Sequence, residues 1–139
     1  MLPKSRVLVA EDEPLTALDI AATVRETGGE VLGPVASVSE AFVLLAEDHI
    51  DGAILDCNLR DGEITPIAEV LLERDVPVVL HTGSDMPLIL QRHRKALPLY
   101  RKPTAPLVLA RCLAQRILEE QSRRCVPMHS PSPLARARR

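Results

Sequence analysis

The chain of 139 residues and 15.2 kDa has room for one ordinary domain, and no apolar run approaches the roughly 20 residues that a membrane span needs. Its net charge of −2 conceals an asymmetry, because residues 123–139 carry five arginines and no acid, which leaves 12 basic against 19 acidic groups in residues 1–122. An acidic body with one Phe, one Tyr and no Trp argues against nucleic acid as its main partner.

The N-terminus lacks the long apolar segment and the small-residue cleavage site of a signal peptide, so we expect a cytoplasmic address. The three cysteines, Cys57, Cys112 and Cys125, are an odd set without metal-ligand spacing, which predicts reduced thiols. Cys57 stands beside Asp56, where a redox sensor could be imagined, but a small buried hydrophobe is the favoured interpretation in an apolar run.

Five short apolar runs rich in branched residues predict five strands, because each run is bounded by Gly, Pro or Asp. In chain order, the runs are Arg6–Ala10, Glu30–Val35, Gly52–Leu55, Val76–His81 and Pro98–Arg101.

Segments with helical spacing lie between and after these runs. Apolar residues at positions 17, 20, 21 and 24 form the stripe of an amphipathic helix, which Gly28 ends. Ser37 and Glu40 make a capping box, and Thr65 with Pro66 predicts an N-cap followed by a proline at the first helical position. Two further helices are therefore expected to begin there.

The last two helix candidates differ in strength. Met86–Leu97 is a weak, basic candidate, whereas apolar residues at positions 110, 113, 114 and 117 predict a final helix that runs to about Gln121. Residues 122–139 are rich in Pro, Ser and Arg and are predicted to be a disordered basic tail. The expected division is a folded domain over residues 1–121 and a tail over 122–139.

Strict alternation of strands and helices predicts an α/β fold with a mainly parallel sheet that helices cover on both faces. Five strands, five helices and about 120 residues suit the flavodoxin-like doubly wound arrangement, with strand order 2-1-3-4-5. In such sheets the ligand site lies at the carboxyl ends of the strands.

Polar residues follow four of the predicted strands. Glu11 and Asp12 follow the first, Asp56 the third, Thr82 the fourth and Lys102 the fifth. Facing acids repel unless a hard cation lies among them, which predicts a magnesium site, and Lys102 and Thr82 would hold an anionic group against it. Asp56 is then the candidate nucleophile that forms an acyl phosphate. An isolated Asp after a strand is more often a cap or turn residue, but four agreeing strand ends favour the site.

Four blocks carry a family resemblance: V-L-V-A-E-D-E-P, A-I-L-D-C-N-L, V-V-L-H-T-G and Y-R-K-P. In order and spacing they resemble the signature blocks of bacterial two-component response-regulator receiver domains, over about residues 5–121. The resemblance implies a single-domain response regulator in a phosphorelay, with Mg2+ as its cofactor. Without an output domain, it would act through a phosphorylation-dependent protein contact or as a phosphate sink.

For the metal, the resemblance implies that Asp12 and Asp56 ligate Mg2+, that Asn58 contributes its backbone carbonyl, and that Glu11 helps through a bound water. Glu13 is expected to be structural. The acid pair departs from the commoner Asp-Asp, because Glu11 has a longer arm.

For the phosphoryl group, the resemblance implies that Asp56 is the phosphoacceptor, that Thr82 donates to the phosphoryl oxygens and that Lys102 pairs with them. The Lys102-Pro103 peptide is expected to be cis. The donor would be a histidine kinase or a phosphotransfer protein that docks near the first helix, and hydrolysis would reset the switch. A further departure is Leu99, three residues before Lys102, where many receivers carry an aromatic residue.

The expected protein is no enzyme beyond slow self-dephosphorylation, binds a downstream protein target but no nucleic acid or membrane, and is a monomer or weak homodimer. One alternative is a degenerate receiver that binds partners without phosphorylation. Another is a phosphatase with an aspartate nucleophile, which needs a second acid two residues later, where this chain has Asn58. The non-aromatic Leu99 and the H-T-G run are similar to receivers common in alphaproteobacteria.

Overall fold

Strands and helices alternate along the chain as the sequence predicts, in a computed structural model that describes residue 2 and residues 4–124. The elements are β1 (Arg6–Ala10), α1 (Pro14–Glu26), β2 (Glu30–Val35), α2 (Val38–Glu47), β3 (Gly52–Asp56), β4 (Asn58–Leu59), β5 (Gly62–Glu63), α3 (Thr65–Glu73), β6 (Val78–Thr82), a 3-10 segment (Leu88–Ala96), β7 (Leu99–Arg101) and α4 (Pro106–Arg124).

The main sheet is parallel throughout, with strand order β2-β1-β3-β6-β7. This is the predicted order 2-1-3-4-5 once the two short strands β4 and β5 are set aside, so the fold class is confirmed. Strands β4 and β5 form a separate antiparallel hairpin directly after β3. The hairpin was not predicted, because strands of two residues are too short to show a hydrophobic period.

Two apolar clusters cover the two faces of the sheet. One packs α1 and α4 on residues such as Val9 and Ile54, and the other packs α2, α3 and the 3-10 segment on residues such as Leu55 and Leu80. Burying one such Leu, Ile or Val side chain completely contributes about 2 kcal/mol to the free energy of unfolding. Gly52 lets α4 approach β3 closely, since a Cβ there would lie 2.9 Å from Ile117 Cδ1.

The helix starts agree in part with the sequence. All four residues of the predicted α1 stripe are buried, and Ser37 caps α2 by accepting a hydrogen bond from Glu40 N at 3.1 Å. The N-cap of α3 is Ile64, not the predicted Thr65. Ile64 is fully buried with helical backbone angles, and its carbonyl accepts from Ala68 N, so the helix begins one residue earlier.

The weak candidate at Met86–Leu97 is a 3-10 segment and not an α-helix. Pro87 precedes the segment, and His93 has non-helical angles within it. Leu90 is its one buried side chain, so there is too little apolar contact to stabilise a regular helix.

The last helix is longer than predicted, since α4 continues to Arg124. Of the predicted tail, residues 125–139 lie outside the described residues. None of the described helices is long and apolar enough to cross a bilayer.

Candidate phosphoacceptor and metal site

Strand register brings the predicted site residues to one edge of the sheet. Ala10 pairs with Leu55 across β1 and β3, so Glu11 comes level with Asp56, and Asp56 itself pairs with His81 on β6. Lys102 follows β7 directly, and its backbone N–H donates to the carbonyl of Thr82 at 2.8 Å. Residues far apart in sequence therefore meet where the strands end.

Three carboxylates form the centre of this site. Glu11, Asp12 and Asp56 each offer an oxygen, and these oxygens lie within 4.8 Å of one another. Glu11 and Asp56 are 2% and 5% exposed, whereas Asp12 is exposed. Two of the acids are thus held in an environment that penalises charge, and the third faces solvent.

Lys102 bridges the two buried acids. Its Nζ donates to Asp56 Oδ2 at 2.9 Å and to Glu11 Oε2 at 3.0 Å. One positive charge among three carboxylates leaves the cluster with a formal charge of −2 when all are ionised. Glu11 Oε2 also accepts from the backbone N–H of Glu13 at 3.1 Å, so it has two donors.

The electrostatics of the cluster follow from burial. Desolvation raises the pKa of Glu11 to about 7, although the hydrogen bond from Lys102 acts to lower it. Burial acts to lower the pKa of Lys102, but the hydrogen bonds to Asp56 and Glu11 outweigh it, so the pKa of Lys102 is raised. The lysine is therefore charged at neutral pH, and Glu11 binds its proton unusually tightly.

These residues fit a magnesium ion. Carboxylate oxygens are the ligands Mg2+ prefers, and a divalent cation would balance the formal charge of −2. In addition, Glu11 Oε1 is buried without a hydrogen-bond partner, which leaves an unused oxygen beside Asp56. Sequence reasoning predicted this acid cluster, and the structure brings its three members together.

Asn58 and Thr82 join the site through Ser84. Asn58 donates its backbone N–H to Asp56 Oδ1 at 3.1 Å and its side-chain Nδ2 to Ser84 Oγ at 3.0 Å. The hydroxyl groups of Thr82 and Ser84 are 3.2 Å apart, and Ser84 N also donates to Thr82 Oγ1. The Thr82 hydroxyl is thus engaged by the loop after β6, and Ser84 was missed because it belongs to no signature block.

Neighbouring residues take the roles expected of them. Glu13 is structural, because it caps α1 by accepting from Thr16 N at 2.9 Å, and this bond lowers the pKa of Glu13. Cys57 is fully buried, and desolvation raises the pKa of its thiol to about 11, which favours the packing interpretation over a redox sensor. The Lys102-Pro103 peptide is cis, as expected.

The residues before Lys102 face opposite sides of the sheet. Leu99 pairs with Leu80 on β6 and packs with the cluster of α2 and α3, whereas Tyr100 packs with the cluster of α1 and α4. Thr82 alternates in phase with Leu80 along β6. The side chain on the Thr82 side is therefore Leu99, and Tyr100 does not replace the missing aromatic residue.

His81 is a second residue of the site that sequence reasoning missed. It is 3% exposed, and neither ring nitrogen has a hydrogen-bond partner among the described residues. Its Nδ1 lies 3.9 Å from Glu11 Oε1. Burial and then the charge of Lys102 lower the pKa of His81, so the ring is neutral at pH 7. The available signal was the alternation of β6, which sets His81 on the same face as Asp56.

Comparison with known proteins gives the class of this fold: the chain belongs to the response-regulator receiver-domain family. SdrG from Sphingomonas melonis Fr1 has a similar solution structure, with 35% identity, a TM-score of 0.69, and coverage of 85% of this chain and 99% of that one. The response regulator PhyR from Brucella abortus shares 28% identity with a TM-score of 0.74, over 91% of this chain and 53% of that one. No family model matches the chain.

Among curated proteins, the transcriptional regulatory protein PdtaR from Mycobacterium tuberculosis (strain CDC 1551) is 39% identical over 93 residues. The match covers 66% of this chain and 45% of PdtaR. The chain spans about half the length of the curated relatives it matches. The likeness therefore concerns about half of each of those proteins.

Proposed function

We propose that the chain accepts a phosphoryl group on Asp56 and signals through a protein contact that depends on this phosphorylation. The observation that carries the proposal is the Lys102 ammonium, which bridges Asp56 and Glu11 at the carboxyl edge of the sheet. The charge of Lys102 is already directed at a carboxylate oxygen of Asp56. It is therefore placed to pair with a phosphoryl group that is transferred to this carboxylate.

In the proposed reaction, a carboxylate oxygen of Asp56 attacks the phosphorus of a phosphohistidine. The new O–P bond forms as the P–N bond breaks, and the departing imidazole takes a proton from solvent. Lys102 Nζ pairs with the transferred phosphoryl oxygens, and Thr82 donates its hydroxyl to them after leaving Ser84. Asp12, Asp56 and the backbone carbonyl of Asn58 would hold Mg2+, and Glu11 would help through a bound water. The bound ion would supply positive charge to neutralise the phosphoryl oxygens.

The phosphatase alternative lacks its general acid. Two residues after Asp56 stands Asn58, whose amide donates a hydrogen bond to Ser84 and is too weak an acid to protonate a leaving group. The acyl phosphate is therefore expected to hydrolyse slowly, which suits a switch better than a turnover enzyme. The degenerate-receiver alternative is disfavoured because the Lys102 bridge to Asp56 is intact.

We assign the phosphodonor, a histidine kinase or phosphotransfer protein, to the surface of α1. Leu15 and Leu18 are both exposed there and, three residues apart, they share one face of the helix. This apolar face lies next to Asp12, which precedes α1 by two residues. Leu18→Glu is expected to slow phosphotransfer from a phosphorylated donor protein without changing labelling by acetyl phosphate. Val43→Glu, a similar change on exposed α2, is the control.

The output surface is assigned to the 3-10 segment and α4. Leu88 and Ile89 are exposed on the 3-10 segment, which has few buried anchors. Movement of Thr82 towards a phosphoryl group would release Ser84, and Ser84 precedes this segment in the chain. Phosphorylation would then shift a pre-existing equilibrium of the segment and change which partner protein it binds.

The test is intact-protein mass spectrometry after incubation with acetyl phosphate and Mg2+. We expect a gain of one phosphoryl group that is absent in Asp56→Asn and absent without Mg2+. Asp19→Asn, an exposed aspartate on α1, is the matched control and should be labelled like the wild type. No adduct under conditions that label a known receiver, followed by no transfer in a screen of histidine kinases, would overturn the proposal.

A further inference from the structure

His81 is a buried polar residue that the proposed reaction does not use. Its ring lies in the row of side chains that β1, β3 and β6 present on one face of the sheet, next to Asp56 by register. Both ring nitrogens are buried without a hydrogen-bond partner among the described residues. Such groups are rare in folded proteins, because each costs about 1–3 kcal/mol unless it finds a partner.

The two oxygens of Glu11 are treated differently by their surroundings. Oε2 accepts hydrogen bonds from Lys102 Nζ and from Glu13 N, at 3.0 and 3.1 Å. Oε1 is buried without a partner and faces His81 Nδ1 at 3.9 Å. Among the described residues of this site, Glu11 Oε1 and His81 Nδ1 are thus neighbouring buried atoms that both lack a hydrogen-bond partner.

We propose that His81 is a positioning residue for the metal site, in which its Nδ1–H donates a hydrogen bond to Glu11 Oε1 and fixes that carboxylate towards Asp56 and the cation. A neutral imidazole carries one N–H donor, and a carboxylate oxygen accepts it. Closing the gap from 3.9 Å to an ordinary hydrogen bond needs a movement of about 1 Å, which side-chain rotation supplies.

The role becomes necessary when Lys102 pairs with another anion. Lys102 is the charged side chain that now restrains Glu11, and the proposed reaction moves it to the phosphoryl group. Glu11 would then keep only the backbone donor of Glu13 on Oε2. A donor on Oε1 from the opposite side holds the carboxylate in place throughout the reaction, in the way that outer-shell partners orient metal-binding groups.

This inference rests on the metal site of the proposed function, and two measurements keep them distinguishable. The first is Mg2+ affinity, measured by titration calorimetry on the full chain without any phosphodonor. His81→Leu keeps an apolar body but removes the donor, whereas His81→Asn retains an N–H near the position of Nδ1. His49→Asn, at an exposed histidine paired with Asp51, is the matched control.

We expect His81→Leu to weaken Mg2+ binding about tenfold, His81→Asn to bind within about twofold of the wild type, and the control to be unchanged. Thermal unfolding of each variant verifies that it is folded. Unchanged affinity in His81→Leu would overturn the inference. Equal loss in His81→Leu and His81→Asn would also overturn it, because the ring would then act only by packing.

The second measurement is the tautomer of His81, read from its ring 15N chemical shifts in the metal-free protein. The inference predicts a proton on Nδ1, and a proton on Nε2 alone would overturn it. This readout does not depend on metal, so it decides the inference even if the wild type fails to bind Mg2+. That failure would instead count against the proposed function.

Discussion

Lys102 and Asp56 lie 46 positions apart in the chain and are joined by a hydrogen bond of 2.9 Å between Nζ and Oδ2. The same ammonium group lies 3.0 Å from Glu11, so it partly neutralises the cluster that we assign to Mg2+. Lys102 and the proposed Mg2+ would therefore share the same carboxylates, and each would lower the electrostatic attraction that the other experiences.

Replacing Lys102 is predicted to tighten Mg2+ binding while it impairs phosphorylation. In Lys102→Met the formal charge of the acid cluster changes from −2 to −3, which should raise Mg2+ affinity roughly tenfold. Titration calorimetry measures this change, and Lys95→Met, at an exposed lysine of the 3-10 segment, is the control. Weaker Mg2+ binding in Lys102→Met would mean that the lysine supports the cation site and does not compete with it.

The strand ends are the part of the site that the sequence could predict. Asp56 and Lys102 each follow an apolar run, and parallel strands bring their carboxyl ends to one edge, so the cluster follows from topology alone. The alternation of β6 assigns His81 to one face of the sheet, but only the pairing of β3 with β6 places it beside Asp56. The contact of Ser84 with Thr82 depends on loop conformation, which carries no periodic signal.

The fold was predictable for similar reasons, and the errors of the prediction are confined to short segments. Buried strands and amphipathic stripes identify both faces of the sheet, but the hairpin of β4 and β5 depends on a turn at Arg60 and Asp61. The 3-10 segment was only a weak helix candidate, and Leu88 and Ile89 in it face solvent, so burial does not enforce an α-helix. Sequence patterns show where contacts can form, and tertiary packing decides which of them do.

Two glycines are predicted to differ in how strongly an alanine substitution destabilises the protein. Gly52→Ala should destabilise the protein by about 1–3 kcal/mol, because its Cβ would lie 2.9 Å from Ile117 and 3.0 Å from Leu113 on α4. Gly83→Ala meets no atom within 4 Å and should stay within about 0.5 kcal/mol of the wild type. Urea unfolding of both variants measures the difference. Equal stabilities would show that α4 shifts away from β3 without cost.

Asp61 is predicted to couple the hairpin after β3 to α2. Its carboxylate accepts from Val38 N at 2.6 Å and from Ser39 N at 3.2 Å, and these bonds lower the pKa of Asp61. Asp61→Ala should lower the midpoint of thermal unfolding by a few degrees, whereas Glu63→Ala in the same hairpin should not. Since the pKa is lowered, the effect of Asp61 should be present above its unfolded value of 3.8 and fade as the pH falls below it.

The hydroxyl group of Tyr100 is predicted to take no part in switching. Tyr100 packs with the α1 and α4 cluster, on the opposite face from Leu99. Tyr100→Phe should therefore leave unchanged the shifts that beryllofluoride, a phosphoryl analogue, produces in the amide spectrum with Mg2+. Thr82→Ala should reduce the same shifts and is the positive control. A reduced response in Tyr100→Phe would contradict this prediction and show that the Tyr100 hydroxyl takes part in switching.

Cys57 is predicted to resist thiol reagents although it adjoins the phosphoacceptor. Burial raises its pKa to about 11, so at about pH 8 roughly one molecule in a thousand carries the thiolate. Iodoacetamide should modify half-buried Cys112 faster, and peptide mass spectrometry distinguishes the two sites. Equal rates in the folded protein would contradict this, whereas equal rates in guanidinium chloride are expected. Because the folded pKa is raised from 9.0, stability should also fall as the pH rises from 9.0 towards 11.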